Sequence, residues 1–527
     1  MLRLPRDRKS QVQLGLIVTA LLAFLIGSLI VAHDRLEVAR IAELQTALIS
    51  RDANAVRELV EEGANPNGAL EDGDGSTALH TASGLGEREM VELLLANDAD
   101  VSVVNHAGHT PLHSAAESGY VEIARLLVDH GGDPFVDPND DGNTPVVGAV
   151  RRSQSETALY LLGEGRAASL APERLGELLV RAASDSHLEL VQFLVAQGAD
   201  VNTYAANGPD SRLPHETNDY AFILFDSGDP RFHVFLPTPI QRAAWAGHAN
   251  IVRFLVEQGA SVNPIDAPEF PPLVLAARKG FDDIANILLE GGADPDVRDS
   301  KGRSALHVSI HHGHITLVST VVEHGADTTV QDENGRTPLM ILRMQNQVAI
   351  GRHMDADRAT RAKIREMLES LIAIGFNPNA PGANGMSPVH DAALDNVYLL
   401  EALLTHGGDH SAKNGDGESP LTSIMYKRWK GDRLIMRRVA AHVLMEHGAD
   451  PNIPNDAGST PLHLVAKVDP ESDAELMVDS LLHFQADPTL VNADGKTPAA
   501  LARDHGHHDL AKTLEAAAEA WARTRNE

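Results

Sequence analysis

The heptapeptide Thr-Pro-Ile-Gln-Arg-Ala-Ala at residues 238–244 returns as Pro-Pro-Leu-Val-Leu-Ala-Ala at 271–277, Ser-Ala-Leu-His-Val-Ser-Ile at 304–310 and Thr-Pro-Leu-Met-Ile-Leu at 337–342. The starts at 238, 271, 304 and 337 are 33 residues apart each time. A strict period of this length means that each unit is one supersecondary element. Such a unit cannot bury its apolar face alone and must stack on its neighbours.

The register extends in both directions. The same start stands at Thr77, Thr110 and Thr144, and again at Ser387, Ser419, Thr460 and Thr497, with a degenerate copy at Glu177. Within the units come apolar triplets such as Met90/Leu93/Leu94, Ile123/Leu126/Leu127, Ile251/Phe254/Leu255 and Ile284/Ile287/Leu288. Their i, i+3, i+4 spacing is one face of a short helix. Gly198, Gly259, Gly292, Gly325 and Gly448 follow, placed to end that helix with a left-handed residue. At the front of each unit Thr or Ser is placed to cap, with Pro at the first helical position, where a missing N–H costs nothing. The pairs Ala115-Ala116, Ala243-Ala244, Ala276-Ala277 and Ala392-Ala393 let helices approach closely, and Gly119, Gly247, Gly280 and Gly313 turn the first helix into the second. Each unit is therefore a helix, a tight turn, an antiparallel helix and a polar finger rich in Asp, Asn and Gly.

With the Thr-Pro-Leu-His start complete at 110–113 and 460–463, the chain resembles the ankyrin-repeat family. The resemblance covers residues 38–527. It implies an all-α solenoid of about twelve helix-turn-helix units with β-hairpin-like fingers. Residues 38–66 keep Val56/Leu59/Val60 without the start motif and read as an N-terminal cap, while Leu510/Thr513/Leu514 and the polar helix toward Trp521 read as the C-terminal one. The resemblance also implies that His80, His113, His307, His390 and His463, all at the fourth place of the start, pack and hydrogen-bond inside their repeats.

A chain of 527 residues would ordinarily form several globular domains, but a solenoid grows by addition, so one elongated repeat domain is expected. The absence of cysteine removes disulfides, thiolate nucleophiles and cysteine metal sites. The formal charge of −30, from 44 Lys+Arg against 74 Asp+Glu, argues against nucleic acid as a partner.

Ahead of the repeats, residues 14–32 run without a charge, long enough to cross a bilayer. Arg3, Arg6, Arg8 and Lys9 precede this segment, so residues 1–13 are expected as a cytoplasmic tail. Residues 14–32 then form one transmembrane signal-anchor helix, and the repeats lie outside the cytoplasm, in the periplasm of a Gram-negative cell. The competing reading is a signal peptide cleaved after Ile30-Val31-Ala32, leaving a secreted protein.

Family resemblance implies that recognition is carried by the fingertips and by residues close to the small pair of the first helix, and that the chemistry is protein binding. Mapped onto this chain, those places hold Arg242, Trp245, Arg278, Lys279, His311, His312 and Arg343, with Arg298, Lys301, Arg303 and Arg336 on the fingertips. The expectation is a basic stripe for an acidic protein surface, with Trp245 as an aromatic anchor.

The step from 177 to 238 carries an insertion at about 204–236 with Tyr204, Tyr220, Phe222, Phe225, Phe232 and Phe235, read as an elongated β-hairpin. An enzyme accessory or hydrolase built in that insertion is the rival function, and His215 with Glu216 is what it offers for catalysis. The cluster Tyr426-Lys427-Arg428-Trp429-Lys430 reads as a helix extension.

Ligand motifs are incomplete. Gly495-Lys496-Thr497 lacks the first glycine of a phosphate loop, where Leu490 stands, and Asp72, Asp74 and Ser76 open a calcium loop whose twelfth place is Ser83. His311-His312-Gly313-His314 and His505-Gly506-His507-His508 sit at helix-to-helix turns. No metal, cofactor or catalytic residue is therefore assigned. The sequence reads as a membrane-anchored, non-catalytic recognition scaffold.

Overall fold

Most inner helices open where a Thr or Ser holds an extended backbone ahead of Pro or Ala, with Ala171 and Pro271 in that place in two of them. Thr110, at φ −89° and ψ 167°, starts the helix Pro111–Ser118. Its N–H donates to His113 Nδ1 at 2.9 Å, which satisfies a donor that the helix itself leaves open. With Nδ1 accepting, the neutral ring carries its proton on Nε2, and that N–H donates to the Asn143 carbonyl of the following repeat at 2.9 Å. The bond recurs from His80 to the His109 carbonyl at 2.8 Å, from His307 to Arg336 at 2.9 Å, from His390 to Glu418 at 2.9 Å and from His463 to Lys496 at 3.0 Å. These rings thus bond across repeats as well as within them.

The computed structural model describes residues 35–69, 73–139, 142–204, 238–264, 270–346, 354–425, 432–468 and 474–526, together with Leu22, Phe24 and Leu25. The chain divides into two compact units, Met1–Arg242 and Ala243–Glu527. In the N-terminal unit a helix over 35–49 pairs with Ala53–Glu61, and the hairpins Ala78–Leu85/Arg88–Ala96, Pro111–Ser118/Val121–Asp129, Pro145–Arg151/Ser155–Leu162 and Pro172–Ala182/Leu188–Ala196 follow. Leu79, Leu94, Leu112, Leu127, Leu161 and Leu194 are buried on their facing stripes, and Ala115 and Ala116 have no exposed surface. The degenerate repeat begins earlier than the Glu177 register suggests. Its inner helix starts at Pro172, because Pro is pre-organised for the first helical place, and runs to Ala182.

In the C-terminal unit Ala249–Glu257 is followed by Pro272–Lys279/Asp282–Glu290, Ala305–His312/Ile315–Glu323, a 3-10 segment Pro338–Asn346 with the long helix Met354–Ile374, and Pro388–Asp395/Val397–Thr405. Pro420–Ser423/Asp432–Glu446, Pro461–Val465/Ala474–His483 and Pro498–Asp504/His508–Asn526 complete it. Glycine is required at the hairpin turns for two reasons. Gly280 has φ +75°, and a Cβ there would stand 2.6 Å from the His314 ring of the next turn.

The fingers differ from the expected β-hairpins. Among the described residues there are two isolated bridges, Ala69 with Thr77 and Arg298 with Ser304, and no strand. In several fingers a side chain closes the turn in place of a ladder, whereas at Gly382 the backbone alone does so, its N–H donating to the Met386 carbonyl at 2.7 Å. Asn455 Oδ1 accepts the backbone N–H groups of Ala457 at 3.1 Å and Ser459 at 2.9 Å, and Asn105, Asn414 and Asn492 do the same in their fingers.

The expected membrane-spanning helix and the single-pass placement of the repeats are corrected. No helix among the described residues is long and apolar enough to cross a membrane. Of residues 14–32 only Leu22, Phe24 and Leu25 are described, and the rest of that segment lies outside the described residues. An uncharged run is one condition for spanning; a continuous apolar helix of about 20 residues is the other. The helix described next, 35–49, is charged at Arg35, Glu37, Arg40 and Glu43 and buries Ile41, Leu44 and Leu48. Gln45 ties it to the first full repeat, donating to the Ser76 carbonyl at 3.2 Å and accepting from Thr81 Oγ1 at 2.8 Å.

Candidate functional site

The candidate cations stand in two settings, and their neighbours decide how much charge each presents. On the fingers, Asp299 and Asp332 occupy the place that Asn holds elsewhere. Asp299 accepts the Lys301 and Arg303 backbone N–H groups at 2.9 Å each, and Asp332 those of Asn334 and Arg336 at 2.9 Å. A carboxylate in this buried turn brings a charge that Asn does not, and the arginine four residues on answers it. Arg303 grips Asp299 through Nε at 2.8 Å and Nη2 at 2.7 Å, and Arg336 grips Asp332 at 2.8 and 2.6 Å. The chemistry of Arg303 and Arg336 is thus first that of finger closure. Arg298 is exposed and donates to the Gln331 carbonyl of the next finger at 3.1 Å, and Lys301 is half-buried, its carbonyl accepting from Glu333.

On the inner helices, Trp245 is only 9% exposed, and Lys279 Nζ lies over its ring at 4.1 Å from the centroid. The indole is therefore a covered platform for a cation, not a projecting anchor. Arg343 sits 3.2 Å from Asp391 and 3.4 Å from Asp395. Burial pushes Asp391 up to about 6, against the pull of Arg343, and Asp395 adds to the rise. Arg242 is half-buried on the helix Pro239–Ala246.

The remaining candidates converge. Arg278 and Lys279 end one inner helix, and His311 and His312 end the next. The His312 ring meets His311 edge-on at 5.0 Å and stacks against His314 at 6.0 Å. Loss of hydration, then the charges of His311, Arg278, His314 and Arg303, push His312 down to about 4. Burial is the largest of these causes, and the cationic neighbours act in the same sense.

Several groups were not legible from the motif. Asp299, Asp332, Asp391 and Asp395 are the counter-charges, and the signal for two of them was present as Asp at the finger place with Arg four residues later. Among the described residues no group of three or more His, Cys, Asp or Glu is placed to hold a metal ion. The aromatic residues 220–235, His215 and Glu216, and the cluster 426–430 lie outside the described residues, while Tyr204 is half-buried.

Residues 40–105, 89–171, 223–299 and 273–352 match the family described as ankyrin repeats in three copies. The chain carries ankyrin repeats. Its ankyrin region is 31% identical over 215 residues to human Rabankyrin-5, covering 41% of this chain and 16% of that protein. It is 31% identical over 176 residues to the ankyrin repeat and KH domain-containing protein mask-1 of Caenorhabditis elegans, 33% of this chain and 5% of that one. A transient receptor potential cation channel subfamily A member 1 homolog of the same nematode is 26% identical over 223 residues, 42% of this chain and 16% of the channel. The chain thus spans a small part of the length of these relatives, and the likeness lies in the ankyrin repeats.

Proposed function

We propose that this protein is a non-catalytic scaffold that binds a protein partner through the inner-helix and fingertip face of its ankyrin repeats. We extend the repeat domain over 38–527, with the insertion at about 204–236. The same capping geometry at Ser387, Ser419, Thr460 and Thr497 supports that extent beyond the family match. The observation that carries the reading is the grouping of Arg278, Lys279, His311 and His312 at the ends of consecutive inner helices, with His312 held unprotonated by its surroundings. Such a face favours an acidic partner surface, and stacked repeats present it already ordered, so little entropy is lost in making it.

Arg298, Lys301, Arg303, Arg336, Arg343, Arg242 and Trp245 complete the candidate set, Arg303, Arg336 and Arg343 contributing mainly to its shape. Reversing Arg278 and Lys279 to Glu in the full chain is expected to reduce recovery of a crosslinked partner by at least about tenfold. Unchanged recovery, with the variant folded by circular dichroism, would remove this face from the function.

A further inference from the structure

Four fingers are joined to the next repeat by a carboxamide at one fixed place. Asn67 donates through Nδ2 to the Asp98 carbonyl at 3.0 Å and accepts the Asp100 N–H on Oδ1 at 2.7 Å. Asn263 does the same with Gly292 and Asp294, each at 3.2 Å. Asn379 does so with Gly407 at 3.0 Å and Asp409 at 2.7 Å, and Asn452 with Gln485 at 3.1 Å and Asp487 at 2.7 Å. In every case the carbonyl belongs to the residue two places ahead of the N–H, so one side chain clasps both groups of the following repeat by giving one hydrogen and receiving another.

Asp296 stands in that place between the repeats that start at Pro271 and Ser304, and it is half-buried as the four asparagines are. It accepts the Asp327 N–H on Oδ1 at 2.9 Å and on Oδ2 at 3.2 Å. The carbonyl two places ahead is that of Gly325. An ionised carboxylate has no hydrogen to give it, so as an anion Asp296 makes only half of the clasp. A carboxylic acid has one donor and one acceptor, which is what the clasp requires.

We propose that Asp296 is a proton-operated clasp between these two repeats: as the carboxylate it holds Asp327 alone, and on taking one proton from solvent it also donates to the Gly325 carbonyl and joins the fingers as the asparagines do. The surroundings favour that proton. Burial pushes the Asp296 carboxyl above its ordinary range, and the charges of Asp327 and Asp294 add to the rise against the bond from Asp327 and the charge of Arg298. The other titratable groups at this joint are engaged in their own helices, Glu290 accepting from Asn286 at 2.9 Å and the His324 ring donating to the Thr320 carbonyl at 2.9 Å, and the preceding finger reaches Asp294 through the uncharged Asn263. Because the folded value is raised, the stabilisation is complete below the unfolded value near 4 and is lost as pH rises through the folded one. The joined fingers carry Arg298, Lys301 and Arg303 on one side and Arg336 on the other, so the proton firms the spacing of these cations, whatever they bind.

Asp296→Asn makes the clasp permanent, and amide hydrogen exchange of the full chain, read by mass spectrometry in the fingers 291–303 and 325–336, measures it. Variant and unsubstituted protein are compared at the same pH, so that the intrinsic exchange rate and the buried histidines act equally in both. At pH 7.5 the two fingers are expected to exchange about threefold to tenfold more slowly in Asp296→Asn, and the ratio is expected to narrow as pH falls to about 5. Asn263→Asp, which puts a carboxylate where a carboxamide now stands, is expected to speed exchange at its own joint at pH 7.5 and to do so less at pH 5. A ratio for Asp296→Asn that stays constant with pH overturns the proton-operated clasp. So does an equal slowing in Asp296→Ala, which removes the charge without supplying either bond and would show that relief of repulsion from Asp294 and Asp327 is the whole effect.

Discussion

In five repeats a single histidine does the work of two hydrogen-bonding groups, and it does so only while neutral. His113 accepts from Thr110 N–H and donates to the Asn143 carbonyl, with no exposed surface. Burial pushes it down to about 4 and lowers His80, His307, His390 and His463 as well, each bond to a carbonyl acting against the fall. Because the folded value is depressed below that of the unfolded chain, the unfolded chain takes up protons first. The stabilisation is complete above about pH 6.5 and is lost as pH falls from there toward about 4. For His113 alone the loss by pH 5 is roughly 2 kcal/mol. Gln241 already stands in this place in another repeat, its Oε1 accepting from Thr238 N–H at 2.8 Å. His113→Gln is therefore expected to keep the helix start at pH 7 and to narrow the gap between urea midpoints at pH 7 and pH 5. A gap as wide as in the unsubstituted protein would show that the ring does not control acid sensitivity.

At the scale of the element, six of the fingers are turns closed by one side chain, Asn105, Asp299, Asp332, Asn414, Asn455 or Asn492, and two chemistries close them. Asn works alone; Asp works with an arginine four residues later. The single change Asp299→Asn keeps the turn acceptor but takes the carboxylate from Arg303. Arg303→Ser leaves a buried carboxylate without its bidentate cation. The double change recreates the Asn455/Ser459 arrangement present elsewhere in this chain. Each single variant is expected to lose about 1–2 kcal/mol and the double variant much less, because removing both charged partners avoids leaving either one desolvated. Chemical denaturation of the four proteins measures the coupling, and additive losses would contradict the pairing. This pair also shows why the basic stripe read from the sequence overstated its charge. Cations were counted at fingertip places, whereas the carboxylates that answer them lie inside the turn and are seen only when the turn is closed.

For the whole molecule, charge and repetition act in opposite senses. Surface ion pairs such as Arg88–Glu92 and Lys512–Asp509 are exposed and screened by solvent, so they contribute little, while the excess of 30 negative charges repels throughout. Raising salt from low ionic strength to about 0.15 M should therefore raise the thermal midpoint, since screening removes more repulsion than attraction. A steadily falling midpoint would show that local pairs dominate. The period of 33, the capping Thr or Ser, the alanine pairs and the turn glycines were all readable in the sequence, and they determined the helical hairpins and their order. They are local signals, each acting within a few residues or through strict repetition. The inner helix of the degenerate repeat, read from Glu177 where the period breaks, in fact begins at Pro172. An uncharged run at 14–32 satisfied a composition rule, but spanning is a property of a continuous helix, which composition alone does not establish. Only the tertiary structure decided that His113 reaches into the next repeat, that Trp245 lies beneath Lys279 and that Arg336 answers Asp332. Those outcomes depend on side chains brought together from different helices or by a closed turn, and the energy of a charge depends on what it meets there.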